Sequence, residues 1–292
     1  MEALHRQNNF LYEFGSWQFH LRNVLARALA PINCKLCGAE TDGAISLCAA
    51  CAEKIFDAYF DFRCENRHRF CRVCGKELIS EQDVCQRCKR IFKLPPSQTA
   101  FTQKSAHTAY SGAGTKNTNA HTDTAKSEKF FERNFSLFPY AGAGQKIVAD
   151  WKNKAIRNYA RFFASYLFNF LQNDTQLSQY AIVPVPARPD KLKQKGWDQI
   201  NDLVYDLRLR GKKICKCLRR HNGVSQKAVN KKTRARNVRG KFYVKKDFIK
   251  KLPKHVILLD DIITTGATIN ECSKVLREAG CEKVFTVCLF FD

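Results

Sequence analysis

Eight cysteines fall into two identical frames. Cys34, Cys37, Cys48 and Cys51 recur as Cys71, Cys74, Cys85 and Cys88, each displaced by 37 positions, with Gly38 and Glu40 echoed by Gly75 and Glu77. Such repetition marks two copies of one supersecondary unit, each too short to bury a sufficient apolar core and therefore in need of a staple. Two C-x-x-C pairs separated by ten residues can set four thiolates tetrahedrally around Zn²⁺, because each pair makes a tight knuckle and the stretch between them folds back as a hairpin. The symmetry of the repeat favours consecutive pairing, one ion on Cys34, Cys37, Cys48 and Cys51 and one on Cys71, Cys74, Cys85 and Cys88. A crossed pairing between the repeats stays open. Four protein ligands leave no position for water or substrate, so both ions are expected to be structural, with metal binding supplying folding free energy.

Nine of the 14 cysteines lie between Cys34 and Cys88, where Cys64 and His68 remain spare. The N-terminal stretch has no basic segment followed by an apolar one, so a reducing, cytoplasmic compartment is expected, in which metal thiolates prevail over disulfides. The 292 residues suit about two domains. With 45% hydrophobic and 26% charged residues, the chain is of globular type, and no run of about 18 uncharged apolar residues suggests a membrane span.

Leu11, Phe14, Trp17, Leu21, Val24, Leu25 and Ala28 recur at helical spacing before Pro31, which predicts an amphipathic lead-in helix over 1–30 packed on the module that follows. The cysteine frames occupy 31–92. Residues 93–135 include a polar tract rich in Ser, Thr, Asn and Gly, expected to be a disordered linker in which His107 and His121 are simply solvated. From 136 to 292 helix and strand patterns alternate: an amphipathic run over 143–171, a strand at 180–186 (YAIVPVP), a polar helix over about 196–209, a buried strand at 255–259 (HVILL), a helix over 267–279 stopped by Gly280, and a last strand over 283–290. That alternation implies a parallel α/β sheet.

Charge is concentrated in one segment. Residues 187–254 hold 23 basic and 5 acidic side chains, +18 of the net +23, which points to polyanions or phosphorylated small molecules as partners. A single small ligand needs fewer cations than that. Trp197, Tyr205, Phe242 and Tyr243 are interleaved there and could stack on bases, although burial is the better expectation for at least two of them. A merely solvated basic face is the plain alternative.

The most specific chemical signal is DDIITTGAT at 260–268, directly after an apolar strand and before an amphipathic helix. Backbone N–H groups of a Thr/Gly turn feeding a helix N-terminus make an anion cradle, and the hydroxyls of Thr264, Thr265 and Thr268 add donors. Gly266 permits close backbone approach. The adjacent Asp260 and Asp261 stand at the end of a strand, where open α/β sheets bind ligands, and suit sugar hydroxyls or a hydrated Mg²⁺.

With these residues the sequence resembles the type I phosphoribosyltransferases, whose phosphoribosyl diphosphate (PRPP) loop has this strand, acidic pair, Thr-Thr-Gly turn and helix. More narrowly, the double cysteine frame, VPVPARPDKLKQKGWDQ, SQKAVNKKTRARNVRGKF and the late loop resemble the ComF family over roughly 30–92 and 136–292, leaving the polar insert unmatched. The resemblance implies an α/β fold, a type I phosphoribosyltransferase-like parallel sheet flanked by helices and preceded by a small double zinc ribbon. It implies PRPP with Mg²⁺ as ligand, Asp260 and Asp261 on the ribose hydroxyls, and Thr264, Thr265, Gly266, Ala267 and Thr268 around the 5′-phosphate. Ala187 and Arg188 fall on the pyrophosphate loop, and residues 219–239 on a mobile hood in which Arg234 and Asn237 match an R-x-x-N spacing. Where the family reads Arg-Gly-Phe-Asn-Gln, this chain has Lys195-Gly196-Trp197-Asp198-Gln199, which keeps a cation at Lys195, loses the guanidinium fork and adds an anion near the diphosphate position. The implied catalytic set is Asp260, Asp261, Lys195 and Arg234. Two functions follow as expectations: a PRPP-binding, single-stranded DNA-binding protein of DNA uptake, on the cytoplasmic side beside a helicase-like motor and at or near the inner membrane; or an active Mg²⁺-dependent transferase of nucleotide metabolism with a structural zinc module and no DNA role. A regulator reading duplex sequence is the third, and no recognition helix is evident for it.

Overall fold

The computed structural model describes residues 33–41, 46–94, 126–221 and 238–292. The expected lead-in helix, residues 95–125 of the polar insert, and most of the hood, with Arg234 and Asn237, lie outside the described residues. The first cysteine frame runs into α1 (Ala49–Ala52), a π-helical turn (Glu53–Asp57) and α2 (Ala58–Glu65). The second runs into α3 (Gln86–Ile91) and a short strand β1 (Phe92–Lys93), paired in parallel with β2 (Ser127–Glu128). Then come β3 (Asn134–Pro139), α4 (Ala143–Asn153), α5 (Tyr159–Gln172), β4 (Ala181–Pro184), α6 (Pro189–Lys195) and α7 (Gln199–Leu209). The chain ends with β5 (Leu218–Arg220), β6 (Phe242–Val244), α8 (Lys246–Ile249), β7 (His255–Ile263), α9 (Ala267–Glu278) and β8 (Lys283–Phe291).

Four strands form a fully parallel sheet in the order β3-β8-β7-β4, and β5 and β6 form a separate antiparallel pair. A parallel sheet is covered on both faces, so its central strands are continuously apolar, as in HVILL of β7 and VFTVCLFF of β8. Side chains alternate between the two faces. Ile257, Leu259, Val287 and Leu289 join one core with α5 and α7, whereas Val256, Leu258, Val284 and Cys288 join the other with Ile269, Cys272 and Leu276 of α9. The amphipathic run over 143–171 is two helices, α4 and α5, broken near Ala155, whose φ of +54° takes the chain out of helical geometry.

The two cysteine frames divide between the two faces of the sheet. Leu47, Phe56 and Phe60 join the α5 core, where the Phe56 ring centroid lies 5.0 Å from Phe138 and 5.8 Å from Phe163. Val73, Leu78, Val84 and Phe92 join the α9 core. The second frame also covers the outer edge of β3: the Asn134 N–H donates to the Arg72 carbonyl at 2.8 Å, and Ser136 Oγ donates to the Cys74 carbonyl at 3.1 Å. An open strand edge is a template for unwanted pairing, and this contact covers the start of it. Residues 126–135, read from composition as the end of the linker, carry β2 and the buried Phe131. Phe131 packs edge-on against Phe92, 6.1 Å between ring centroids, so these residues fold with what precedes and follows them.

Candidate functional site

The carboxyl ends of β4 and β7 open into a cleft of about 940 Å³, where open parallel sheets bind ligands. β7 continues past its apolar run to Ile263, so the acidic pair belongs to the strand itself. Asp260 accepts a hydrogen bond from the Asp261 N–H at 2.8 Å. Burial, and next the neighbouring Asp261 charge, raise the Asp260 carboxyl above the ordinary carboxylate range. The turn that follows ends at Gly266, whose φ of +75° only glycine adopts without strain, and which caps the N-terminus of the 12-residue helix α9. Thr265 Oγ1 accepts from the Ala267 N–H at 3.4 Å. Phe92 underlies this turn, its ring 3.4 Å from where a Gly266 Cβ would stand.

Opposite, β4 ends in Pro184 and the loop through Ala187 and Arg188 starts α6, with Arg188 at the N-cap and Gly196, at φ +71°, at the C-cap. Ala187, Arg188 and Lys195 thus line the same cleft as Asp260, Asp261, Thr264, Thr265, Gly266, Ala267 and Thr268. Residues far apart in the chain meet here; of the expected set, Arg234 and its companion Asn237 lie outside the described residues. The Asp198 carboxylate is buried and caps α7, accepting from the Asn201 N–H at 3.1 Å. Burial raises it to about 7, so it serves the fold more than it adds a fixed anion. Trp197 is held by Arg157, whose guanidinium lies 5.5 Å from the indole ring and forms a fork on Asp202 at 2.5 and 2.7 Å.

The cysteine frames form two groups of four, Cys34, Cys37, Cys48, Cys51 and Cys71, Cys74, Cys85, Cys88, with the sulfurs of each group within 4.8 Å of one another. Consecutive pairing is therefore the geometry of the fold. The Cys37–Cys48 and Cys74–Cys85 sulfurs are 3.6 and 3.7 Å apart, and a tetrahedron with Zn–S bonds of about 2.3 Å has edges of about 3.8 Å. Both groups could hold a zinc ion.

Residues 217–292 match the family model of the phosphoribosyl transferase domain. The chain is 30% identical over 154 residues to "Competence protein ComFC" of Streptococcus pneumoniae, covering 53% of this chain and 66% of that protein. It is 31% identical over 107 residues to "Competence protein F" of Haemophilus influenzae, covering 36% of this chain and 47% of that one. The chain is a ComF homologue. The matches span just under two thirds and about half of these relatives' lengths.

This ComF homologue brings to the cleft residues that sequence reading did not single out. Lys152 of α4 places its Nζ 2.5 Å from Asp261 Oδ2, and its carbonyl accepts from Lys195 Nζ at 2.5 Å. Arg220 and His221, at the end of β5, also line the cleft. Lys152 had a visible signal: it follows Gly144 and Val148 at four-residue spacing on the buried stripe of α4, and a lysine on such a stripe needs a partner. Of the four interleaved aromatics only Phe242 is fully buried; Tyr243 is exposed, its ring 4.4 Å from that of His221.

Proposed function

We propose that the cleft binds PRPP, and that the protein uses this site together with its basic segment in handling single-stranded DNA during DNA uptake. The observation that carries the reading is the convergence on one cleft of a carboxylate pair, a Thr/Gly turn at a helix N-terminus and a basic loop on the facing strand. Asp260 and Asp261 take the ribose hydroxyls. Thr264 to Thr268 offer backbone and hydroxyl donors to the 5′-phosphate, and Arg188 and Lys195 face the diphosphate. The two carboxylates are hard oxygen donors of the kind Mg²⁺ accepts, and the ion, when bound, neutralises diphosphate charge. The names of the relatives support a competence role, and the +18 carried by residues 187–254 supports a nucleic acid as the larger anion.

The test is binding of PRPP with Mg²⁺ and of an oligonucleotide to one preparation, compared with Asp260→Asn/Asp261→Asn and with charge reversals between Lys227 and Arg239. PRPP binding is expected to be saturable and to vanish in the aspartate double variant. Oligonucleotide binding is expected to survive that variant, to be lost in the charge reversals, and to weaken with salt at a log–log slope of about 0.7 per phosphate covered. Absence of DNA affinity at physiological salt, together with pyrophosphate release that depends on an acceptor, would establish a transferase without a DNA role. A wild-type protein that ignores PRPP overturns the reading.

A further inference from the structure

The ion pair between Lys152 and Asp261 bears on what a ligand meets in the cleft. Lys152 stands at the end of the buried stripe of α4, and its side chain keeps 32% of its exposure while Asp261 keeps 21%. Its backbone is fixed as well, because the Lys152 carbonyl receives Lys195 Nζ. An ammonium carries three donors and a carboxylate about four acceptor positions. One donor on Asp261 Oδ2 therefore leaves Lys152 two more, and leaves Asp261 room for a sugar hydroxyl. Lys152, Arg188, Lys191 and Lys195 all line the cleft; burial first, and then the charges of Arg188, Lys195 and Lys152, hold the Lys191 ammonium below its ordinary range, with Asp190 opposing them. Asp190 and Asp261 each offset part of this charge, and an anion among the four cations relieves the rest of their mutual repulsion.

We infer that Lys152 is a binding residue for the diphosphate of a 1-diphosphorylated pentose, held in place by Asp261 and donating to a diphosphate oxygen while Asp261 accepts from the sugar. The inference rests on the PRPP reading and adds to it a residue from α4, outside the stretch that matches the transferase domain model. The geometry fits the ligand's chemistry, since the diphosphate is attached to the carbon next to the hydroxyl-bearing carbons that face the acidic pair. A ligand with the sugar and 5′-phosphate but no diphosphate would not use the contact.

Calorimetric titration of the full chain with PRPP, inorganic pyrophosphate and ribose 5-phosphate, all with Mg²⁺, tests this. Lys152→Met is expected to weaken PRPP and pyrophosphate by about tenfold to a hundredfold, the worth of a charge-assisted hydrogen bond, and to leave ribose 5-phosphate within about twofold. Lys152→Arg is expected to restore most of the loss. Lys152→Gln, which can still hydrogen-bond Asp261, repeats the comparison if the methionine variant fails to fold. Equal weakening of all three ligands would show that Lys152 only shapes Asp261, and no weakening of pyrophosphate would show that it does not reach the diphosphate; either overturns the inference while the PRPP reading stands. Wild-type protein that binds none of the three overturns the PRPP reading, and the inference with it.

Discussion

Gly38 and Gly75 hold the same place in the two cysteine frames and the same backbone region, with φ of +81° and +79°, yet their surroundings differ. A Cβ at Gly38 meets nothing within 4 Å, whereas one at Gly75 falls 2.7 Å from Ser136 Cβ and Oγ and 2.9 Å from Arg63 Nη2. Arg63 cannot step aside, because it is buried, donates to the Gly75 carbonyl at 2.9 Å and lies 3.9 Å from the Phe70 ring centroid. Gly38→Ala is therefore expected to cost only the left-handed penalty of about 1–2 kcal/mol. Gly75→Ala adds an overpacking cost of about 1–3 kcal/mol, and denaturant unfolding of the zinc-loaded variants measures the difference. The sequence shows two equivalent glycines; only the packing of β3 on the second frame makes one indispensable. The same limit separates the cleft residues. Asp260 to Thr268 were legible because one contiguous run carries both the acids and the Thr/Gly turn that starts α9, while Lys152 reaches Asp261 through the tertiary placement of α4.

At the scale of elements, the repeat predicted two like metal sites, and the fold makes them unlike. Cys71, Cys74, Cys85 and Cys88 are all buried, whereas Cys37 is exposed and Cys48 and Cys51 are only half covered. A chelator must reach the metal or wait for the site to open, and opening is easier where less is buried. Two equivalents of zinc are expected, one released fast and one slowly, as followed with a chromogenic chelator. Cys37→Ser with Cys48→Ser should abolish the fast phase and leave the slow one. Equal rates at both sites would contradict the burial difference. Three of the sheet's four strands were legible from their apolar runs, but β3 was not, because Asn134 and Ser136 interrupt its apolar pattern beside the polar tract. Strand ends were not legible either: β7 extends four residues beyond its apolar run, to Ile263, because its neighbour β8 continues to pair with it there, Ile263 opposite Phe291. The helix α6 went unread because its seven residues, PDKLKQK, bury no side chain and so carry no apolar stripe.

At the scale of the molecule, composition divides the chain into a cysteine module, a linker and an α/β domain, but the cores do not follow that division. The first frame contributes Phe56 and Phe60 to the core on one face of the sheet, and the second contributes Val73, Val84 and Phe92 to the core on the other. Phe92 also underlies the Gly266 turn, and Arg87 donates to the Asp292 carbonyl at 2.8 Å beside the cleft. Composition could not reveal this, since it registers how apolar a segment is and not which face receives it. Independent domains would unfold in separate steps, whereas elements sharing a core unfold together. Heating the zinc-loaded chain is thus expected to give one cooperative transition, seen at the same temperature by near-ultraviolet circular dichroism and by zinc release from the buried site. Stripping that zinc should lower the transition of the whole sheet, because metal affinity is folding free energy in a unit this small. Two resolved transitions, with the α/β sheet melting unchanged after zinc removal, would mean that the frames merely rest on the sheet and that the turn at Gly266 owes nothing to Phe92.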